Sequence, residues 1–180
     1  MKATGIVRRI DDLGRVVIPK EIRRTMRIRE GDPLEIYTDK EGAVIFRKYS
    51  LMGGVADFAG QLCDSLWRNA GRPCIITDRD SCVAVAGLAR KELAEKPVSQ
   101  ALDRLMEGRK SYEAQPGEER VLLCSDREDW VVLTAAPILS GGDVLGCVVL
   151  LAQPEDTVAG EVERKLTQTV AGFLGRHMED

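Results

Sequence analysis

Hydrophobic and polar positions divide the chain into two stretches with different periods. Up to about residue 50 the apolar residues come in short runs, "TGIVRRI" (4–10), "RVVI" (15–18) and "PLEIYTDKEGAVIFRK" (33–48). Runs of this length, rich in Val and Ile and bounded by turn residues, are strand-sized. "DDLG" between the first two is an acidic turn in which Gly14 can supply a positive φ. In the third run Leu34 and Ile36 alternate with Glu35 and Tyr37, the pattern of a hairpin strand. Pro19 suits the first turn of a helix, where its missing N–H costs nothing. In "KEIRRTM" Ile22 and Met26 lie four apart and share one face, which leaves Arg23 and Arg24 pointing elsewhere.

Beyond "YSLMGG" (49–54), whose two glycines are expected to break any continuous element, the period changes. Val55, Phe58, Ala59, Leu62 and Leu66 fall at helical spacing. Two strand-sized runs follow, "PCIITD" and "SCVAVAG", turning through Arg79–Asp80. "RKELAEKPVSQALDRLMEG" predicts two helical pieces, with Pro97 in the first turn of the second. Three more β runs, "RVLLCSD", "WVVLTAAPIL" and "DVLGCVVLLA", precede a helix near 155–178 with the stripe Val162, Leu166, Val170 and Phe173. That order predicts an antiparallel sheet with helices packed on it, an α+β fold. The expected domains are 1–50, a linker at 51–54, and 55–180.

Charge separates the same two halves. The net charge is -3, yet residues 1–50 carry twelve Lys+Arg against eight Asp+Glu, and the remainder is correspondingly acidic. Opposite signs suggest two modules, the basic one facing a polyanion. Arg8 and Arg9 leave the first strand-sized run, Arg15 follows the turn, and Lys20, Arg23 and Arg24 lie on the short helix. Guanidinium groups fork onto phosphates and guanine edges, so these six are the candidate DNA-binding residues. A fifty-residue module buries little surface alone, and with no disulfide or metal available a second copy is the expected remedy.

Composition excludes several alternatives. At 44% hydrophobic and 31% charged the chain reads as globular, and its longest apolar run is too short to span a membrane. The N-terminus lacks the apolar region of a secretory signal, which makes the cytoplasm the expected location. Five cysteines form no C-x-x-C pair, and the one histidine, His177, leaves no basis for a zinc site or a histidine triad. No catalytic, metal or cofactor residues are expected, and Glu118–Glu119 and His177 read as surface.

"ATGIVRRIDDLGRVVIPKEIRRTMRIREGDPLEIY" closely resembles the AbrB family of bacterial transition-state regulators. The resemblance implies a swapped-hairpin β-barrel made by two chains, with DNA contacts from Arg8, Arg15, Arg23 and Arg24, a basic Arg9, and Met26 as a core residue. The same barrel serves some antitoxins of toxin–antitoxin pairs. "AAPILSGGDVLGCVVLLA" and the helix after it resemble a GAF domain. GAF domains bind small molecules or dimerise through flanking helices, so an unidentified ligand and a homotetramer of two dimers are both expected options. The two halves together resemble regulators of forespore gene expression, which implies a sequence-selective DNA-binding transcriptional regulator with no enzyme activity. The alternative from another class is a GAF-type thiol enzyme that reduces methionine sulfoxide, suggested by Cys74, Cys82, Cys124 and Cys147.

Overall fold

The computed structural model describes residues 4–93, 96–156 and 158–179, and Arg90 by its backbone alone. Ala94 and Glu95, in the first expected helical piece, lie outside the described residues, as do Lys2 and Ala3 of the resemblance. The chain folds as two compact units, Met1–Tyr49 and Ser50–Asp180.

In the first unit Pro19 stands at the N-cap rather than inside helix α1 (Lys20–Thr25), with extended ψ of 148°. Strands β1 (Leu34–Thr38) and β2 (Val44–Lys48) form the expected antiparallel hairpin, Leu34 opposite Lys48. Asp39 closes it, its Oδ1 accepting from the N–H groups of Glu41 and Ala43 at 3.0 and 2.8 Å. The runs 4–10 and 15–18 do not form strands. A strand needs a neighbour to take its backbone hydrogen bonds, and this chain offers these runs none. Their apolar side chains stay in solvent, Val7 at 85% and Leu13 and Val17 at 70% exposure. Met26, read as core, is likewise exposed at the helix C-cap.

The second unit is a five-stranded antiparallel sheet in the order β4-β3-β7-β6-β5. Its strands are β3 (Cys74–Asp78), β4 (Cys82–Ala86), β5 (Tyr112–Glu113), β6 (Val132–Ser140) and β7 (Asp143–Leu151). Helices α2 (Ala56–Ala70) and α5 (Glu161–His177) cover one face, enclosing Ala59, Cys63, Leu66, Ile76, Val148, Ala171 and Leu174. Helices α3 (Arg90–Leu93) and α4 (Gln100–Glu107), with the loop 121–130, cover the other over Ile75, Leu102, Met106, Leu123 and Val149. The split follows from the two-residue period of a strand, which sends Ile75 and Ile76 to opposite faces.

Four expectations for this unit differ from what is found. Residues Leu51–Val55, read as a break, make a 3-10 turn, and Met52 is fully buried in the core beneath α2 and α5. An apolar side chain with a core in reach outweighs the flexibility of two glycines. "RVLLCSD" is no strand: only Leu122 bridges Val131, and the edge of the sheet is β5, with Tyr112 opposite Ala135. Its apolar pattern records the burial of Leu123 and Cys124, so Cys124 lies in a loop. Pro97 bridges Ser81, two residues before the N-cap Ser99 of α4. Finally, Thr167, Ala171, Leu174 and Gly175 are the buried face of α5, while Val162 and Phe173 of the expected stripe are exposed. Leu166 and Val170 of the stripe do pack against the core, so the expected face is met in part and its centre lies on the smaller residues. Small residues win because α5 lies almost against β6: a Cβ at Gly175 would come 2.1 Å from the Leu139 carbonyl oxygen.

Candidate nucleic-acid interface

Every candidate DNA-binding residue belongs to the first unit, and all six are exposed. Arg8 and Arg9 precede a turn built around Asp11. The Asp11 carbonyl accepts from the Gly14 N–H at 3.0 Å, and the Asp11 N–H donates to the Arg15 carbonyl at 3.0 Å. Gly14 takes φ +75°, a left-handed conformation in which a side chain would be strained. The Asp11 carboxylate fastens the turn from inside, Oδ1 accepting from the N–H groups of Leu13 and Arg15 at 3.0 and 2.8 Å. Its Oδ2 accepts from Arg15 Nε at 2.8 Å. The Arg15 backbone N–H and then its guanidinium hold the Asp11 carboxyl below the ordinary carboxylate value of 3.8. Arg15 is thereby oriented by its own turn while its side chain remains 69% exposed.

Helix α1 places the other three. Lys20, Arg23 and Arg24 are related by steps of three and four, so they share one face of a helix. Arg23 and Arg24 occupy the last turn, where cations complement the helix dipole. Arg27 continues the same spacing just past the helix, in the left-handed region at φ 52°. Sequence reading did not single it out, although its position three after Arg24 was the signal. The Arg27 carbonyl accepts from Lys48 Nζ at 2.8 Å, and Lys48 also pairs with Asp32 at 3.2 Å. This ties the helix exit to β2. The structure therefore brings Lys20, Arg23 and Arg24 together on α1 and holds Arg15 on the preceding turn.

In the second unit several charged side chains are held in pairs. Arg72 Nη1 donates to Gln153 Oε1 at 2.9 Å and pairs with Asp156. Arg127 pairs with Glu92 and Asp129 and lies 3.9 Å above the Trp130 ring. His177 packs 4.9 Å from the Phe58 ring. Burial pushes the Cys147 thiol up to about 12, and Cys74 is pushed up by its hydrogen bond with Cys63 and by burial. Among the described residues no cluster of His, Cys, Asp or Glu is placed to hold a metal ion, and no helix is long and apolar enough to cross a membrane.

Two family models match the chain. Residues 54–179 match "Stage V sporulation protein T C-terminal, transcription factor", and residues 7–51 match "Antidote-toxin recognition MazE, bacterial antitoxin". Stage V sporulation protein T of Bacillus subtilis is 49% identical over 179 residues, covering 99% of each chain. Transition state regulatory protein AbrB of the same organism is 46% identical over 77 residues, covering 43% of this chain and 78% of that protein. The GAF domain of an Acinetobacter phosphoenolpyruvate-protein phosphotransferase is similar in structure, with a TM-score of 0.56 at 14% identity over 73% of this chain and 83% of the other. A type II free methionine-R-sulfoxide reductase of Thermoplasma acidophilum reaches 0.55 at 8% identity over 72% and 95%. The first establishes the GAF-type fold of the second unit, and neither says anything about its chemistry.

A basic recognition module joined to a GAF-type unit defines a DNA-binding transcriptional regulator. The chain belongs to the stage V sporulation protein T family.

Proposed function

We propose that the chain regulates sporulation genes by laying Arg8, Arg9, Arg15, Lys20, Arg23 and Arg24 on double-stranded DNA, as a homodimer whose two first units share one barrel. The dimer reading is supported by the unpaired runs 4–10 and 15–18, whose Ile6, Val7, Val16 and Val17 are exposed in the single chain. Two such runs from two chains can take each other's backbone hydrogen bonds and enclose those side chains, leaving the arginines outside. The domains are 1–50 and 55–180, and the stretch 51–54 between them belongs with the second, whose core takes Met52. Exposed Phe173, Val162 and Trp67 on α2 and α5 favour a further association of second units into a tetramer.

The function is regulation in the cytoplasm, without catalysis. Supporting this over the thiol-enzyme reading are the burial of Cys63, Cys74, Cys124 and Cys147 and the near-full-length likeness to a sporulation protein. An antitoxin reading finds its support in the match at 7–51. The large folded second unit and the match at 54–179 favour a regulator instead.

The single observation carrying the site is the run of exposed cations fixed by one turn and one short helix. Binding of a DNA duplex across a salt series tests it. Arg24→Ala or Arg15→Ala should weaken binding and lower the magnitude of the salt slope by about 0.9 for each phosphate the variant no longer neutralises. Isotherms unchanged in both variants remove these residues from the interface.

A further inference from the structure

Helix α1 ends in a turn that glycine ordinarily closes. The Ile28 N–H donates to the Arg23 carbonyl at 2.8 Å and the Arg27 N–H to the Arg24 carbonyl at 3.3 Å. This pair of bonds is a Schellman motif, in which the residue after the C-cap takes the left-handed conformation. Met26 is the C-cap, and Arg27 holds that next position at φ 52°. Glycine adopts such a backbone without a Cβ penalty, and asparagine does so more readily than most residues. An arginine adds nothing to the cap that glycine would not, and this one is exposed. Closing the helix does not account for it.

The neighbours of Arg27 fix its place. Its carbonyl accepts from Lys48 Nζ at 2.8 Å, and Lys48 pairs with Asp32 at 3.2 Å. Asp32 fastens the turn after the helix, its Oδ2 accepting from the Arg29 N–H at 2.8 Å. The Arg27 backbone is thus held through both its N–H and its carbonyl, one turn on from Arg23 and Arg24. The C-terminal end of a helix ordinarily repels an anion, because unpaired carbonyls face outward there. At this end the Arg23 and Arg24 carbonyls are engaged by the cap and the Arg27 carbonyl by Lys48. A polyanion can approach a helix end neutralised in this way.

We propose that Arg27 is a further DNA-contacting residue, whose guanidinium neutralises a backbone phosphate beside those met by Arg23 and Arg24. The inference rests on the reading of α1 as part of the DNA interface. The left-handed backbone is retained for this contact: strain that the fold does not need persists where the side chain it carries has a use. A phosphate contact adds affinity on any duplex and makes binding more sensitive to salt.

The decisive variant is Arg27→Gly in the full chain, because it deletes the cation and suits the backbone. Binding to a labelled DNA duplex of mixed sequence is read by fluorescence anisotropy across a salt series, and urea unfolding by circular dichroism. The variant should bind more weakly at low salt, with the magnitude of the salt slope lower by about 0.9 for each phosphate no longer neutralised. Its affinity deficit should therefore shrink roughly 3.5-fold per lost contact over a fourfold rise in salt. Its urea midpoint should equal or exceed that of the parent chain, and Arg27→Lys should keep the parent's salt slope. An unchanged slope in Arg27→Gly, an equal loss of slope in Arg27→Lys, or a lowered urea midpoint in Arg27→Gly would each overturn the proposal. Arg24→Ala separates this inference from the reading beneath it. If Arg24→Ala loses affinity and Arg27→Gly does not, Arg27 alone leaves the interface; if neither does, the α1 interface falls with it.

Discussion

The two units treat the same kind of residue in opposite ways. In Ser50–Asp180 the large apolar residues fill two cores on the two faces of one sheet, and Ile75, Leu102, Leu133, Leu150 and Leu174 have almost no exposed surface. In Met1–Tyr49 every Val and every other large aliphatic residue of the runs 4–17 is exposed, and Pro19 is the only described residue that is buried. Fully burying one Val or Ile side chain contributes about 1.5–3 kcal/mol, so the first unit leaves several such contributions unrealised in a single chain. The second unit encloses its own cores. The first encloses almost nothing.

The largest expected effect attacks the unfinished half. Val17→Asp should cost roughly 4 kcal/mol or more, because it would bury an unpaired carboxylate in the shared barrel. Sedimentation of residues 1–50 should then show a monomer in place of a dimer. An unchanged dimer places Val17 outside the interface and breaks the comparison.

On the finished half, Leu174→Ala should destabilise the second unit by about 2–5 kcal/mol, read by urea unfolding. A fragment beginning at Ser50 suits this measurement better than one beginning at Gly54, because Met52 is part of the core. A fragment of residues 1–50 lacks Leu174 and should sediment as the unsubstituted fragment does, which sharpens the contrast between the units.

A smaller loss is expected from Gly175→Ala. The added methyl has only the Leu139 carbonyl to meet at 2.1 Å, so α5 must shift from the sheet at a cost of about 1–3 kcal/mol. Urea midpoints of this variant and Leu174→Ala should rank in that order.

The smallest effect belongs to the turn that aims Arg15. The Asp11 carboxyl lies below its ordinary value of 3.8 in the folded protein. A group depressed in this way contributes stability above its unfolded value, and that contribution is lost as pH falls through the folded value. NMR titration should find the Asp11 midpoint below 3.8, and Asp11→Asn should remove that acid-side step. The same variant should weaken DNA binding less than Arg15→Ala, since it loosens the guanidinium without deleting it.

Much of this organisation was legible in the residues. The hairpin of β1 and β2, the helix α2 and the strands β3, β4, β6 and β7 carry local periodicity that a single strand or helix repeats along itself. The basic residues were legible too, because Lys20, Arg23 and Arg24 share a helix face by spacing alone. The turn at Asp11 showed its glycine in the sequence but not its carboxylate clasp, which requires Arg15 to fold back onto Asp11.

What the local pattern could not determine was which partner an apolar residue meets. "RVLLCSD" and "RVVI" look alike as strings. In the structure one lies over a sheet as a buried loop and the other lies exposed without a ladder. Burial and strand pairing are separate requirements, satisfied by different neighbours, and sequence periodicity reports only that a residue is apolar. The buried face of α5 went to Thr167, Ala171 and Gly175 because backbone approach to β6 favours small side chains over the larger Val162 and Phe173. The sequence by itself determined the period, the charge asymmetry and the basic helix face, all of which act within a few residues. Tertiary structure decided which faces closed, since that depends on the distance and shape of surfaces far apart along the chain.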